Sequence, residues 1–467
     1  MLWEKENLDG NEVYIDLIAR GRLGLTSQRG PSLLSEPKVT KSDEMWKKYH
    51  REGNGAFDNK NYIEAIEAYN QSLCFTENPE KIRQYKKCRL DIKLAIDYGY
   101  DVLKLNGLED KCTECLAQRG EIFGSFVPKL SFDANQFIPY MANVLDFQCD
   151  SYGNEWLTAT QDIEVGQTLI AETAYLKYMY NNKIGCNICS KTYVNLIPCE
   201  NCTEALFCSP ECRRHVLHKY ECGAKFTDRK IINERRLCDL RSVLKAIDLF
   251  PNADDLMQFV ENSLKKTDQR KVPDNLTSEE SKYRVYLQLQ TTKVFAYTDI
   301  DFPVIASRIL KMYKLLMQKH VDKFKSVKHQ RFLMHLSVHH SQINRCNSME
   351  VPKLPPSDPL EKKFIATQVS IMGNYVSVAC MPNVGLVQTG GTSYWITVRR
   401  IKRGERLQCH LETLSTQERQ IRMLAMEGTS QSCQCSLCKD ISATIEERSR
   451  LITDPDFSYI KDEFTKI

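Results

Sequence analysis

The chain has 467 residues, 42% hydrophobic and 27% charged, which is the balance of a folded chain of about three domains and excludes a mostly disordered, collagen-like or coiled-coil one. Its 64 basic and 60 acidic residues leave a formal charge of +4, too small to call for direct nucleic-acid binding. No run of about 18 apolar residues occurs, so no membrane helix is expected, and the stretch from Met1 to Gly30 carries five acidic residues and no apolar segment, so an intracellular address, cytoplasmic, nuclear or both, is the expectation.

Residues 1–42 show no periodicity and read as a poorly ordered lead-in. From Asp43 to Pro79 two amphipathic helices are expected. Trp46, Tyr49, Gly53 and Phe57 share one face of the first, and Tyr62, Ala65, Ile66, Tyr69 and Leu73 one face of the second. Gly53, Tyr62, Ala65, Tyr69 and Pro79 resemble one tetratricopeptide (TPR) unit, so residues 43–119 form a TPR-like helical region. One such unit cannot bury its face alone, and Lys81 to Gln118, which reads as helical, is the expected stack. Residues 120–180 carry two strands, Trp156 to Ile163 and Gln167 to Leu176, with a turn at Val165-Gly166. Residues 186–222 hold a cysteine cluster. Residues 223–363 read as a largely helical insert, residues 364–411 as strands, residues 412–440 as a helix leading to a second cysteine cluster, and residues 441–467 as a short charged tail.

The 19 cysteines carry the most information, because an intracellular chain does not rely on structural disulfides and clustered thiols then point to metal. The first cluster reads Cys186-x2-Cys189-x9-Cys199-x2-Cys202-x5-Cys208-x3-Cys212-x5-His218-x3-Cys222. A Cys-x2-Cys knuckle lets two thiolates grip one tetrahedral zinc, and ligands four apart share a helix face. Eight ligands make two four-coordinate sites. We pair them in alternation: Cys186, Cys189, Cys208 and Cys212 on one ion, Cys199, Cys202, His218 and Cys222 on the other. His215, seven residues before Cys222, is the rival to His218, whose interval of four fits better. Such sites are closed to water and therefore structural. The second cluster, Cys433-x-Cys435-x2-Cys438, is one ligand short of a site.

Three other groups have ordinary readings. Cys112 and Cys115 have knuckle spacing without a partner pair and read as free helix thiols. His335, His339 and His340 lack a third placed ligand and read as surface or packing histidines. Lys319 to Lys328 reads as a solvated helix face.

Phe207-Cys208-Ser209-x2-Cys212 and His218-Lys219-x-Glu221-Cys222 resemble the second half of a MYND zinc finger. The order of parts extends the resemblance over residues 43–440. Ala159-Thr160-x-Asp162-Ile163-x2-Gly166-x3-Ile170-x-Glu172 is similar to first SET strands. Cys380-Met381-Pro382-Asn383, Arg400-Ile401-x2-Gly404-Glu405 and the cysteine tail then follow in order. The layout resembles the SET-and-MYND-domain family, in its branch with an N-terminal TPR region. The fold so implied is α+β with structural zinc: a SET β-core interrupted by a MYND finger and a helical insert, preceded by the TPR-like region. The resemblance also supplies Cys380 as the fourth ligand beside Cys433, Cys435 and Cys438, for three zinc ions in all.

The family's activity is transfer of a methyl group from S-adenosylmethionine to protein lysine. This sequence departs from the family where cofactor and substrate would be held. The glycine turn survives only as Gly153-Asn154-Glu155-Trp156, which leaves Gly153 and Asn154 as the candidate cofactor contacts. The family's Asn-His-Ser is Ser377-Val378-Ala379, and its tyrosine position holds Leu411 beside His410. Thr429 and Gln431 stand where channel aromatics belong. The expectation is a zinc-stabilised protein-binding module with lost or impaired methyl transfer, meeting other proteins through the finger and the TPR-like helices. The alternative is an active protein-lysine methyltransferase.

Overall fold

The computed structural model describes residues 41–59, 61–78, 81, 128–151, 155–180, 185–191, 196–222, 237–264, 275–289, 309–310, 312–313, 316–317, 322–352, 364–379, 382–389 and 391–409. It is a mixed α and β structure with small sheets, and none of its helices among these residues is long and apolar enough to cross a membrane.

The chain first forms a helical hairpin, α1 (Asp43–Asp58) and α2 (Tyr62–Leu73). Ser42 caps α1 by accepting from the amide of Met45, and Asp43 and Glu44 put negative charge on its first turn. The helices cross at Gly53. A Cβ there would lie 2.5 Å from the Tyr69 ring, so only glycine allows this approach. Tyr69 then reaches Asn54 with its hydroxyl at 2.8 Å, and Ser72 donates to the Trp46 carbonyl at 2.9 Å. The apolar positions read from the sequence form the interior of the hairpin: Ala65, Ile66, Tyr69 and Leu73, with Trp46, Ala56 and Phe57 at its edge.

β1 (Leu145–Cys149) and β2 (Glu155–Ala159) pair antiparallel, Leu145 opposite Ala159. β3 (Thr168–Thr173) and β4 (Leu176–Met179) follow. The sequence reads one strand from 167 to 176, but the chain bends at Ala174-Tyr175 and the two halves enter different sheets. The Ala174 amide leaves the ladder and donates to the carbonyl of Gly391. Such a break depends on distant pairing partners, which a local alternation pattern does not carry.

Beyond the cysteine-rich segment, which holds the short helices α3 (Pro210–Arg213) and α4 (Val216–Glu221), α5 (Leu237–Leu249), α6 (Ala253–Leu264), α7 (Glu279–Gln288) and α8 (Val327–Asn347) pack together. The stretch read as helical to residue 363 turns into a strand at β7 (Ser348–Pro352), because β8 (Phe364–Val369) supplies a partner ladder. His335 and His340 of α8 are buried. His340 bonds Ser242 and Tyr283, both at 3.1 Å, and His339 lies 3.0 Å from the Leu287 carbonyl. Asp239 accepts from Ser341 and Asn344 at 2.8 and 2.9 Å, completing a satisfied polar network within the helical core. Lys323, read as part of a solvated face, instead donates to the carbonyls of Ile247 and Phe250 at the end of α5.

The C-terminal strands are β9 (Ser377–Val378), β10 (Val384–Thr389), β11 (Thr392–Thr397) and β12 (Gln408–Cys409). They form a five-stranded sheet with β3, in the order β3-β11-β10-β12-β9, and β12 runs parallel to both its neighbours. Gly166 and Gly404 both hold φ +80, so their turns need glycine. Ile163 pairs Ile401, and Asn383 knits β12 to this layer by accepting from the Gln408 amide and donating to the Arg406 carbonyl. Glu172 of β3 is buried and accepts from the amides of Ile371 and Met372 at 2.6 and 3.0 Å, which fixes the short 3-10 helix Met372–Tyr375.

Candidate metal centre

The segment from 185 to 222 has little regular structure. It contains a two-residue hairpin, β5 (Ile197–Pro198) with β6 (Leu206–Phe207), and two short helices, α3 (Pro210–Arg213) and α4 (Val216–Glu221). Each piece places thiols. In the first knuckle the Ser190 amide returns to the Cys186 carbonyl and the Cys186 amide donates to the Lys191 carbonyl, so Cys186 and Cys189 face the same way. Ser190 holds φ 58, in the left-handed region that favours glycine. After β6, Ser209 caps α3 through the Cys212 amide, with Pro210 at its first position. That brings Cys212 beside Cys208.

Two groups of four result. Cys186, Cys189, Cys208 and Cys212 form one; Cys199, Cys202, His218 and Cys222 form the other; within each, the ligand atoms lie within 4.8 Å of one another. This is the alternating pairing. The sulfurs of Cys189 and Cys208 are 3.5 Å apart, those of Cys208 and Cys212 3.6 Å, and those of Cys199 and Cys222 3.7 Å. Tetrahedral zinc with Zn–S bonds of about 2.3 Å spaces its sulfurs by about 3.8 Å. Each group could hold a metal ion, and thiolates with one imidazole suit zinc rather than the hard, oxygen-seeking cations.

His218 is in the second group, its Nε2 3.1 Å from Cys199 Sγ and its ring edge-on to Phe207 at 4.7 Å. His215 is not. Its Nδ1 accepts from the Leu217 amide at 3.2 Å and caps α4.

The electrostatics call for a cation. S–H groups of Cys202, and His218, pull Cys199 down to about 3, while Cys202 is pushed up by the charge it faces. Cys186 is drawn down by Cys189 and Cys208, and Cys189 is pushed up to about 11. Four thiols this close cannot all ionise unless a positive ion sits among them.

The groups are anchored on two sides. Arg241 of α5 is buried, its Nε and Nη2 2.6 and 2.7 Å from the Glu221 carboxylate. It also donates to the carbonyls of Lys177 on β4 and Asn187 in the knuckle, at 2.8 and 2.9 Å. On the other side lies the helical hairpin: Met45, Trp46, Tyr49, Cys74 and Phe75 share one apolar cluster with Ile188, Leu196, Leu206, Phe207 and the cysteines of both groups.

Sequence reasoning did not single out Arg241, Glu221 as its partner, or Ser190. A charged residue inside the apolar run Leu240, Val243, Leu244 and Ile247 was the available signal for Arg241. Of the other expected site residues, Gly153, Asn154, Cys380, Cys433, Cys435 and Cys438 lie outside the described residues, as do Cys112, Cys115, His410 and Leu411. No protein-family model matches the chain, and no curated protein matches it.

Proposed function

We propose that the chain is a zinc-stabilised protein-binding module of the SET-and-MYND type with lost or impaired methyl transfer. The supporting observation is a contrast between two places. The metal centre has eight converging ligands in two complete groups. At the candidate cofactor turn, by contrast, the family's second glycine is missing, and on the strand that follows the Arg406 guanidinium lies over the Trp156 ring at 3.7 Å. Ser377, at the position of the family's asparagine, has no amide to offer the cofactor. Both departures argue against S-adenosylmethionine binding here.

Both metal sites are closed, so zinc supplies folding free energy and no activated water. Cys380 with Cys433, Cys435 and Cys438 makes the third zinc site of this reading. The partners are other proteins, and the address is cytoplasmic, nuclear or both.

Calorimetric titration with S-adenosylmethionine, and metal analysis of the same purified sample, test the proposal. Three zinc ions per chain and no heat of cofactor binding are expected. Micromolar cofactor binding with methyl transfer to proteins of an extract would overturn it in favour of the active methyltransferase.

A further inference from the structure

Among the described residues the helical hairpin has only a small interior of its own. Its own buried apolar residues are Ala65, Ile66, Tyr69 and Leu73, a core far below what an isolated domain needs. Its other apolar side, from Met45, Trp46 and Tyr49 to Cys74 and Phe75, is spent on the finger. Tyr49 of α1 and Phe75, just past α2, stack at 5.6 Å and share a cluster with Leu206 and Phe207. Lys41, just before α1, donates to the carbonyl of Cys199 at 2.8 Å. Cys199 belongs to the Cys3His group. One apolar cluster therefore includes both the hairpin and the metal-binding thiols.

We propose that the finger's apolar face is the docking surface for the chain's own helical hairpin, held closed by the ion at Cys199, Cys202, His218 and Cys222. The face consists of residues that lie between metal-ligating cysteines, Ile188 between Cys186 and Cys189, Leu196 between Cys189 and Cys199, and Leu206 and Phe207 between Cys202 and Cys208, and it has a fixed shape only while those segments are pinned. Zinc thus favours the docked state, and by linkage docking favours zinc by the same factor. An outside partner reaches this face only by displacing the hairpin. The inference rests on the zinc reading above and adds that the finger is engaged within its own chain.

The test uses the full chain. Amide exchange read by mass spectrometry compares α1, α2 and α8 before and after a chelator removes the zinc. Exchange in α1 and α2 should speed up at least tenfold while α8 changes much less. Equal acceleration in α8 would show global unfolding, and unchanged α1 and α2 would show a hairpin that needs no zinc; either overturns the proposal. The reciprocal arm places Asp on the shared surface with Tyr49→Asp, and removes the Cys199 contact with Lys41→Met. Both should weaken one metal ion of the chain, Tyr49→Asp by about tenfold, which corresponds to about 1.4 kcal/mol. Cobalt replacing zinc shows by its absorption whether the weakened site is the one with a nitrogen ligand. Unchanged affinity in both variants, or loss at the all-sulfur site, would also overturn the proposal. Metal analysis separates the failures: a chain without zinc defeats the zinc reading itself, and a chain with zinc but no coupling defeats only this inference.

Discussion

Glu221→Ala should be among the most damaging single substitutions outside the metal ligands. The wild-type carboxylate holds a guanidinium that is 1% exposed, through two bonds of 2.6 and 2.7 Å. Removing it leaves the Arg241 charge buried with two carbonyls and no counter-charge, a loss of about 3–5 kcal/mol. Arg241→Met should be at least as costly, because it strands the Glu221 carboxylate and also leaves the carbonyls of Lys177 and Asn187 without a donor, about 1–3 kcal/mol for each. The double variant Arg241→Met with Glu221→Leu removes both charges and leaves only those carbonyls, so it should lose about 2–6 kcal/mol, well below the sum of the singles. Urea unfolding of the zinc-loaded protein gives each value by linear extrapolation. Zinc retention should fall along with stability, because Glu221 precedes Cys222 and Asn187 follows Cys186. A loss below about 1 kcal/mol for Glu221→Ala would place the pair among solvated surface salt bridges and refute the reasoning.

Burial is the main cause that lifts Glu172 to about 7, against the pull of the backbone amides it accepts from, so its protonated form is favoured in the folded state. Its stability contribution is therefore full below about 4.5 and lost as pH rises through about 7, and the loss of wild-type stability from pH 5 to pH 8, relative to Glu172→Gln, should be on the order of 1–3 kcal/mol in chemical denaturation. Ser190→Gly relieves a left-handed φ and removes a buried hydroxyl that has no partner among the described residues, so it should raise stability by about 1 kcal/mol, whereas Ser190→Val should lower it; thermal unfolding checks both. Gly53→Ala sets a Cβ against the Tyr69 ring and should cost about 1–3 kcal/mol, read as faster amide exchange confined to α1 and α2. Cys380→Ser and Cys435→Ser should each remove one zinc from three and lower the melting temperature equally, because they open the same proposed site; unequal losses in native mass spectrometry would break that pairing.

The metal centre was legible because its signal is local. A knuckle of Cys-x2-Cys, or ligands four apart on a helical turn, fixes which side chains meet, and alternation then follows with few choices. The apolar faces of α1 and α2 were legible for the same reason: intervals of three and four say which residues are covered. They do not say by what. Ala65, Ile66, Tyr69 and Leu73 are covered within the hairpin, whereas Met45 and Tyr49 are covered by the finger, more than 100 residues away in sequence. The bend at Ala174-Tyr175 and the strand β7 were hidden in the same way, since each is decided by a distant strand: β11 and β8 for the first, β8 for the second. Arg241 was hidden because a buried arginine looks like a surface one until its four acceptors converge from α4, β4 and the first knuckle.

That convergence bears on what the finger is for. A peripheral binding module has one face on the body and one face toward its partner. This finger has Arg241 and Glu221 locking it to α5 and β4 on one side, and Trp46, Tyr49 and Phe75 covering it on the other. Its two candidate metal groups sit between the helical hairpin and the α5–β4 layer, which it joins through buried charge. In the proposed reading, zinc in such a position would do what a disulfide does in a secreted chain, tying segments that are far apart in sequence. In the non-catalytic reading, the surfaces that recognise other proteins then lie outside the covered face of the finger, or become available when the hairpin leaves it. The exchange rate of α1 under chelation separates these two cases before any partner is known.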